Sequence, residues 1–319
     1  MSSHGKDAAP LYIDSATVAE LLKPDELMSV VETSLIDFSR RDGSVVQPVR
    51  TTVPVEEHKG LLYMMPGYSR NASSLATKFV AFFQDNADKG LPSHMAKIVL
   101  FDPSTGRVLA LMDGGVMTEL RTAAASAVAT KYLSSKNAAV LAILGSGAQA
   151  HSHVKLLKLV RDFKEIRVWS PTLSHMQAFA QEVGAVACGS AEEAVHDADV
   201  IVTVTSAAEP VLFGKWVKPG AHINAVGACR STWRELDDEV MLTSTVVVDS
   251  REGAVKESGD IILSKATIAC ELGEVASGAV TVDATRTTLF KSLGMAVEDV
   301  VSSKLVYDRF MAQQKAGDL

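Results

Sequence analysis

The sequence predicts an α/β protein, in which a Rossmann-type, doubly wound parallel sheet accompanies a second, discontinuous domain of mixed α/β structure. Strand, helix and strand alternate at regular spacing from residue 140 onwards, which is typical of a parallel sheet. A glycine-rich turn follows the first of these strands. The chain before residue 120 instead mixes strands with one clear helix.

The first half is predicted to form a sheet with a covering helix. An amphipathic helix is expected over Pro24–Ser39, and the acidic residues in its first turn favour a helix start there. Asp102–Gly106 contains proline and glycine and is typical of a hairpin turn. The predicted strands are Val45–Val53, Gly60–Met65, Ala76–Phe83, Ala96–Phe101 and Val108–Met112.

The second half is predicted to begin with an alanine-rich helix, Gly115–Leu133, and to continue as the parallel sheet. A helix over Ala148–Arg161 follows the first strand, and a last helix, Val297–Gln313, is expected to pack back on the first half. The predicted parallel strands are Val140–Leu144, Ile166–Trp169, Ala198–Thr205, His222–Val226 and Thr245–Asp249. Residues 1–122 and 300–319 are therefore assigned to one domain and 123–299 to the Rossmann domain.

Composition narrows the class of protein. A hydrophobic content of 47% and a net charge of −7 exclude a disordered chain, and an acidic pI near 5.6 disfavours nucleic-acid binding. The cysteines, Cys188, Cys229 and Cys270, are isolated, so neither a disulfide framework nor a metal site is expected. The polar start lacks the apolar region of a signal peptide, and no apolar run is long enough to span a membrane. We therefore expect a cytoplasmic protein.

The sequence Gly145-Ser-Gly-Ala-Gln-Ala150 has the pattern of a dinucleotide-binding turn, because it joins an apolar strand to a helix. Its glycines permit a tight turn and close approach of the pyrophosphate to the helix N-terminus. A plain tight turn is the alternative. The next strand ends in Ser170-Pro171-Thr172, without the carboxylate that would bind the ribose of NAD, which favours NADPH and leaves NADH possible. Alternatively, these residues only end the strand and cap the next helix.

Three cations lie within apolar surroundings in the first half: Arg50, Lys78 and Arg121. Each alone could point outward into solvent. Together they indicate a carboxylate site, because arginine binds a carboxylate through two parallel hydrogen bonds and a buried lysine can exchange a proton. His94 is either a proton relay or a structural histidine.

The chain also resembles the ornithine cyclodeaminase/μ-crystallin family, and within it the ketimine reductase branch. The residues that carry the resemblance are the sequences at 47–51, 65–68, 76–78, 92–94, 112–114, 121–124, 144–150, 214–228, 233–239, 256–260 and 290–299. They occur in the family's order along most of the chain.

The resemblance implies a homodimer with a discontinuous substrate and dimerisation domain, and a domain that binds a nicotinamide dinucleotide. Arg50, Lys78 and Arg121 match the catalytic and substrate-carboxylate positions, and Glu257 matches a pocket position. The matching cofactor positions are Ser93, His94, Arg121, Thr122, Gly145, Ser146, Gly147, Ala148, Gln149, Ser170, Pro171, Thr172, Thr205, Val226 and Ser292.

Two departures from the family refine the expected activity. Reductases of this branch commonly carry an arginine where this chain has Pro171, which weakens the preference for NADPH. Cyclodeaminases carry an aspartate where this chain has Cys229, which favours imine reduction over cyclodeamination. We therefore expect reduction of the C=N bond of cyclic ketimine carboxylates to pipecolate or proline. The alternatives are ornithine cyclodeaminase, another amino-acid dehydrogenase, and a protein that binds thyroid hormone in an NADPH-dependent way.

Overall fold

The structure is a computed structural model that describes residues 9–317, so the polar start at residues 1–8 lies outside it. The chain forms two compact units. Within the described residues, unit 1 contains the chain up to Val30, Asp42–Thr118 and the segment from Ala296 onwards. Unit 2 contains Val31–Arg41 and Glu119–Met295.

Strands and helices are distributed along the whole of the described chain. The strands are β1 Leu11–Ile13, β2 Val45–Val46, β3 Thr51–Val55, β4 Gly60–Ser69, β5 Ser74–Phe83, β6 His94–Phe101, β7 Val108–Asp113, β8 Val140–Leu144, β9 Glu165–Trp169, β10 Val186–Ala187, β11 Val200–Thr203, β12 His222–Ala225, β13 Thr245–Val248, β14 Ile268–Glu271 and β15 Thr288–Lys291. The α-helices are α1 Ser15–Leu21, α2 Pro24–Ser39, α3 Gly115–Leu133, α4 Ala148–Leu157, α5 Leu173–Val183, α6 Ala191–Val195, α7 Asp238–Thr243, α8 Arg251–Glu257, α9 Gly259–Ser264, α10 Leu272–Ala276 and α11 Ala296–Ala316. Short 3₁₀ helices are Glu56–His58, Gln84–Lys89 and Gly214–Trp216.

Unit 1 is a mainly antiparallel sheet covered by helices. Its strands follow the order β1-β7-β6-β5-β4-β2, β3 also pairs with β4, and β1 runs parallel to β7. Helix α11 packs on β4, β5 and β6, which confirms that the last helix returns to the first half of the chain. Because side chains alternate across a strand, one face of this sheet is covered by α11 and the other is left partly exposed.

The expected strand Val45–Val53 is wrong in its middle. The chain leaves the sheet after β2 and rejoins it at β3, and the break contains Pro48, which has no backbone N–H to donate. The side chain of Gln47 turns instead to helix α11, where its Oε1 accepts the backbone N–H of Val297 at 2.8 Å. Arg50 therefore lies on a loop immediately before β3 and not within a strand.

Unit 2 contains the predicted parallel sheet. Its described strands follow the order β10-β9-β8-β11-β12-β15-β13-β14, and every pair is parallel. The order reverses beside β8, because β9 lies on one side of it and β11 on the other, which is the topological switch point of a Rossmann-type sheet. The fold class is confirmed, although strands β10, β14 and β15 were not expected and helix α4 ends four residues before Arg161.

The division between the two units passes through helix α2. Residues Val31–Arg41, the second half of helix α2 and its continuation, cluster with unit 2. Glu271 of unit 2 explains this association, because its carboxylate accepts a hydrogen bond from Ser39 Oγ at 2.9 Å and pairs with Arg41. The assignment of substrate binding and dimerisation to unit 1 stays a prediction.

Two further observations concern membrane spans and the cysteines. No helix among the described residues is long and apolar enough to cross a membrane. The three cysteines of the described chain are free thiols.

Two histidines are fully buried in unit 2. Burial lowers the pKa of His153 to about 4, and burial likewise lowers the pKa of His222 to about 3. Neutral His153 fits its surroundings, since Nδ1 lies 2.7 Å from the carbonyl oxygen of Gln149 and Nε2 lies 2.9 Å from the hydroxyl of Ser126. His153 thereby joins the helix that follows the glycine-rich turn to helix α3.

These histidines predict a loss of stability in mild acid. In the unfolded chain a histidine binds a proton below pH about 6.5, whereas native His153 stays neutral down to about pH 4. As the pH falls between these values, each such histidine lowers the free energy of unfolding by about 1.4 kcal/mol per pH unit. Urea unfolding between these pH values should show a shallower dependence for His153→Gln than for the unchanged protein. Exposed His175 supplies the matched control, His175→Gln, and equal slopes for the two variants would contradict the prediction.

Candidate active site

The glycine-rich turn has the geometry that a dinucleotide requires. Gly145 has a φ of +118°, and a Cβ there would lie 2.8 Å from the carbonyl oxygen of Val204, so a side chain is excluded by the fold itself. Gly147 is different, because a Cβ at this residue would meet no atom within 4 Å. Gly147 is the N-cap of helix α4, whose first turn presents backbone N–H groups. The open space beside it suits a phosphate group.

The end of strand β9 lies next to this turn, because the N–H of Gly145 donates to the carbonyl oxygen of Trp169 at 2.8 Å. Ser170 is half-buried, and Pro171 and Thr172 are exposed. Thr172 is the N-cap residue of helix α5, yet its hydroxyl makes no capping hydrogen bond to the described helix. The alternative is therefore right about where the strand ends and the helix begins, but the side chain of Thr172 does not cap the helix.

Two buried polar atoms at the same edge of the sheet accept no hydrogen bond within the described residues. They are Oε1 of Gln149, in the first turn of helix α4, and Oγ of Ser292, which follows β15. Buried polar atoms in native proteins nearly always have partners, so these two indicate a polar ligand that the chain itself does not supply. A dinucleotide fits this requirement.

The carboxyl ends of parallel strands meet at one edge of a sheet, and the remaining cofactor positions of unit 2 follow such ends. Thr205 follows β11, Val226 follows β12, and the N–H of Val226 donates to the carbonyl oxygen of Thr203 at 2.9 Å. Thr122 is buried on helix α3. The fold thus brings the turn, Ser170, Thr205, Val226 and Ser292 to the same edge.

Ser93 and His94 belong to unit 1, at the start of β6. The imidazole of His94 is exposed, lies 3.1 Å from Ser93 Oγ through Nδ1, and stacks on Phe82 with ring centroids 4.6 Å apart. The exposure of the ring disfavours the structural alternative.

Lys78 is buried in the covered face of the unit 1 sheet. Its neighbours in register across the sheet are Met65, Ile98, Met112 and Ile13, all apolar and buried. Only 1% of its side chain is exposed, and its Nζ lies 2.7 Å from Oδ2 of Asp299, which is equally buried on helix α11. A charge in such surroundings is tolerated only when it is paired. The interpretation of Lys78 as a surface charge is therefore wrong.

Arg121 is also buried, on helix α3, and a glycine makes room for it. A Cβ at Gly294 would overlap Nη1 of Arg121, so the guanidinium packs directly on this turn, which has a φ of +80°. Asp249 holds the turn, because its Oδ2 accepts the N–H groups of Leu293 at 2.6 Å and of Gly294 at 2.8 Å. The guanidinium of Arg121 thus packs against a turn that Asp249 holds in place. Arg121 is therefore not a surface charge either.

Arg50 and Glu257 are half-buried. The guanidinium carbon of Arg50 lies 5.9 Å from the ring centroid of Tyr63 on strand β4, within range of a cation–π contact. Glu257 is the last residue of helix α8 in unit 2. Both side chains are accessible enough to reach a ligand.

Sequence reasoning missed Asp299, which pairs with Lys78, and Asp249, which holds the turn against which Arg121 packs. Asp299 and Asp249 are each far along the chain from the groups that they hold, so no spacing connects them. The available signal was the acidic start of the last helix, Glu298 and Asp299, in a helix whose first turns are otherwise apolar.

A parallel sheet with this glycine-rich turn and these orphaned polar atoms at its carboxyl edge defines a dinucleotide-binding protein of the Rossmann class. The profile of the ornithine cyclodeaminase/mu-crystallin family matches residues 11–314, and the chain belongs to this family.

Individual relatives agree with this assignment. A ketimine reductase mu-crystallin of Rattus norvegicus is 53% identical over 304 residues, which cover 94% of this chain and 97% of the relative. The structure of Δ1-pyrroline-2-carboxylate reductase from Thermococcus litoralis, in complex with NADH and L-proline, is 35% identical with a TM-score of 0.90 and covers 95% of this chain and 98% of its own. An archaeal alanine dehydrogenase dimer with bound NAD is 33% identical with a TM-score of 0.89, and covers 96% of this chain and 97% of its own.

The packing of Arg121 on Gly294 predicts that Gly294→Ala weakens the binding of a carboxylate ligand by about tenfold, the loss of roughly one charge-assisted hydrogen bond. The added methyl group displaces the guanidinium. Calorimetric titration with L-proline in the presence of a dinucleotide measures the effect.

Gly278 provides a matched control for this substitution. It has nearly the same backbone conformation, with a φ of +77°, but a Cβ there would meet nothing within 4 Å. Gly278→Ala should carry a comparable backbone strain and leave the affinity for L-proline unchanged. Equal losses of affinity in the two variants would show that strain, and not the position of Arg121, is responsible.

Proposed function

We propose that the protein reduces the C=N bond of cyclic ketimine carboxylates with a reduced nicotinamide dinucleotide. The substrates are Δ1-piperideine-2-carboxylate and Δ1-pyrroline-2-carboxylate, and the products are pipecolate and proline. The observation that carries this proposal is the buried ion pair between Lys78 and Asp299, 2.7 Å apart in an otherwise apolar layer. The names of the relatives, a ketimine reductase and a pyrroline-2-carboxylate reductase, support the same reaction.

Reduction of an imine adds a hydride to carbon and a proton to nitrogen. The bound dinucleotide supplies the hydride, which is chemistry of the cofactor and not of the protein. The imine carbon accepts a hydride readily only when its nitrogen is protonated, so a proton donor is needed. Lys78 serves this role through Nζ, and Asp299 holds that ammonium in place and compensates its charge.

The carboxylate of the substrate requires cationic partners. Arg50 and Arg121 are proposed to bind it, because a guanidinium offers two parallel N–H donors that match a carboxylate. Binding at the carboxylate fixes the orientation of the neighbouring C=N bond, which lowers the entropy cost of the reaction. Glu257 is proposed to line the same pocket.

The dinucleotide is proposed to be held by the edge of the unit 2 sheet. The N–H groups at the start of helix α4 would bind the pyrophosphate. The buried Oε1 of Gln149 would accept a hydrogen bond from a donor group of the dinucleotide, and the hydroxyl of Ser292 would also hydrogen-bond to the dinucleotide. The tetrad from Trp169 to Thr172 contains no carboxylate to repel a 2′-phosphate, and the Thr172 hydroxyl makes no capping bond within the described helix. NADPH is therefore proposed as the cofactor, with NADH accepted.

The assembly is proposed to be a homodimer through unit 1. The sheet face opposite helix α11 is partly exposed and carries large apolar side chains, including Tyr12 at 60% and Met95 at 44% exposure. Apolar surface of this kind is commonly covered by a partner. The free thiols of Cys188, Cys229 and Cys270 fit a reducing compartment, for which we propose the cytoplasm.

The decisive assay follows the oxidation of NADPH and of NADH by absorbance, with piperideine- and pyrroline-carboxylate as substrates. Turnover of at least one ketimine is expected with both dinucleotides, faster with NADPH. Conversion of ornithine to proline and ammonia, with no ketimine turnover, would instead establish a cyclodeaminase. Binding of an iodothyronine with no turnover of any imine would establish the hormone-binding alternative.

Lys78→Ala is predicted to lower kcat by a factor of about 10² to 10⁴, the usual contribution of a general acid, while the affinity for the dinucleotide persists. Because this variant leaves the buried carboxylate of Asp299 without its partner, Lys78→Met combined with Asp299→Asn provides a neutral pair of similar volume. The double variant should fold, bind NADPH and show the same loss of kcat. Near-normal turnover in the double variant would remove Lys78 from the mechanism.

A further inference from the structure

Glu235 is a fully buried carboxylate at the carboxyl edge of the unit 2 sheet. Its Oε1 accepts hydrogen bonds from the backbone N–H of Thr205 at 2.6 Å and from the hydroxyl of Thr205 at 2.7 Å. Its Oε2 accepts from the hydroxyl of Thr203 at 2.8 Å and from the N–H of Gly227 at 2.7 Å. A single side chain therefore ties the loop after β11 to the loop after β12.

The two loops are in close contact at Gly227. A Cβ at Gly227 would overlap both the carbonyl oxygen of Thr205 and the carboxylate of Glu235. Because each carboxylate oxygen already receives two donors, the group acts purely as an acceptor. The paths of both loops are thus set by the position of this carboxylate.

A second layer of charges holds Glu235 itself. Oδ1 of Asp260 accepts the backbone N–H groups of Glu235 at 2.8 Å and of Leu236 at 3.1 Å. Oδ2 of Asp260 lies 2.9 Å from Nζ of Lys291, and both of these side chains are fully buried. Lys291 is the last residue of β15 and immediately precedes Ser292. The cluster therefore joins the ends of β11, β12 and β15.

The charges in this cluster compensate one another only in part, since two carboxylates face one ammonium. Burial raises the pKa of Glu235, and the charge of Lys291 opposes this shift. Burial lowers the pKa of Lys291, but the charges of Asp260 and Glu235 outweigh it, so that the pKa of Lys291 is raised. Removing any member leaves a buried charge or donor unsatisfied, which is costly.

A sheet of this kind does not need a buried triad of charges for its own stability, because apolar side chains of similar volume commonly serve as well. The cluster lies at the edge where Thr205, Val226 and Ser292 follow the ends of their strands. We propose that Glu235, supported by Asp260 and Lys291, is a positioning residue for the dinucleotide, because it holds the loops at Thr205 and Gly227 in the binding conformation. This inference rests on the proposed use of a dinucleotide at this edge.

Glu235→Gln tests the proposal. The amide keeps the shape of the side chain but turns an N–H₂ group towards N–H and O–H donors, so that one loop is pushed away. Calorimetric titration with NADPH and with NADH should show about tenfold weaker binding or more, the loss of one to two hydrogen bonds to a charged group.

Glu271→Gln is the matched control. Glu271 is also a buried carboxylate of unit 2, and it accepts hydrogen bonds from Ser39 Oγ and from the N–H of Arg251, each at 2.9 Å. These bonds hold helices α2 and α8 and not the loops at Thr205 and Gly227. Glu271→Gln should lower the unfolding temperature comparably and leave the affinity for the dinucleotide within about twofold. Equal weakening in both variants would overturn the proposal, because a general loss of stability would then explain it.

Thr205 supplies a milder second test that does not risk the fold. Thr205→Val loses the hydroxyl bond to Glu235 and should bind the dinucleotide more weakly than the unchanged protein. If Glu235 acts through this loop, the double variant Glu235→Gln with Thr205→Val binds no more weakly than Glu235→Gln alone. Additive losses would overturn the proposal, since Thr205 would then contribute independently of Glu235.

The failure of this inference is distinguishable from failure of the proposed function. If the unchanged protein binds neither NADPH nor NADH, the proposed function falls. If it binds a dinucleotide and Glu235→Gln binds it equally well, only the role of Glu235 falls.

Discussion

A paired charge inside an apolar layer is the constraint on which unit 1 depends. If both partners were replaced by apolar residues of similar volume, the row formed by Met65, Ile98 and Met112 would pack at least as well, so the sheet does not need Lys78 for its stability. Its presence obliges helix α11 to bring Asp299 to the same place. The position of the last helix, and thus the discontinuity of the domain, is coupled to the residue that we assign to proton donation.

In unit 2, buried carboxylates hold loops in place, whereas in unit 1 the buried carboxylate of Asp299 holds the proposed proton donor. Asp249 holds the turn beneath Arg121, and Glu235 holds the loops at Thr205 and Gly227. In each case a buried carboxylate accepts backbone N–H groups just beyond a strand, where the regular hydrogen bonding of the sheet has ended. Such acceptors restrict a loop to one of several possible conformations. Binding and catalysis require this fixed geometry.

The sequence predicted those parts of the fold that local pattern controls. Helices Pro24–Ser39 and Gly115–Leu133 and strand Val140–Leu144 have the bounds that periodicity and composition indicated. The glycine-rich turn could be predicted equally well, because all of the residues that define it lie within six consecutive positions. Strand β15 could not be predicted in this way, since Thr288–Lys291 is short and ends in a buried lysine, which pairs with the distant Asp260.

In the candidate site, too, only the features with a local sequence signal could be predicted. The cations Arg50, Lys78 and Arg121 could be selected from their apolar neighbours in the sequence, but not their degree of burial. Asp299 is more than two hundred residues from Lys78 along the chain, and the bond from Val297 to Gln47 breaks a strand that propensity alone would continue. Contacts of this length are set by tertiary packing, which no local window contains.

A crystal structure of the protein with a dinucleotide and L-proline tests the central claim most directly. We expect the carboxylate of proline to lie on the guanidinium groups of Arg50 and Arg121, with Nζ of Lys78 within hydrogen-bond distance of the ring nitrogen. A proline bound away from Lys78, or a dinucleotide bound with both arginines in bulk solvent, would contradict this expectation.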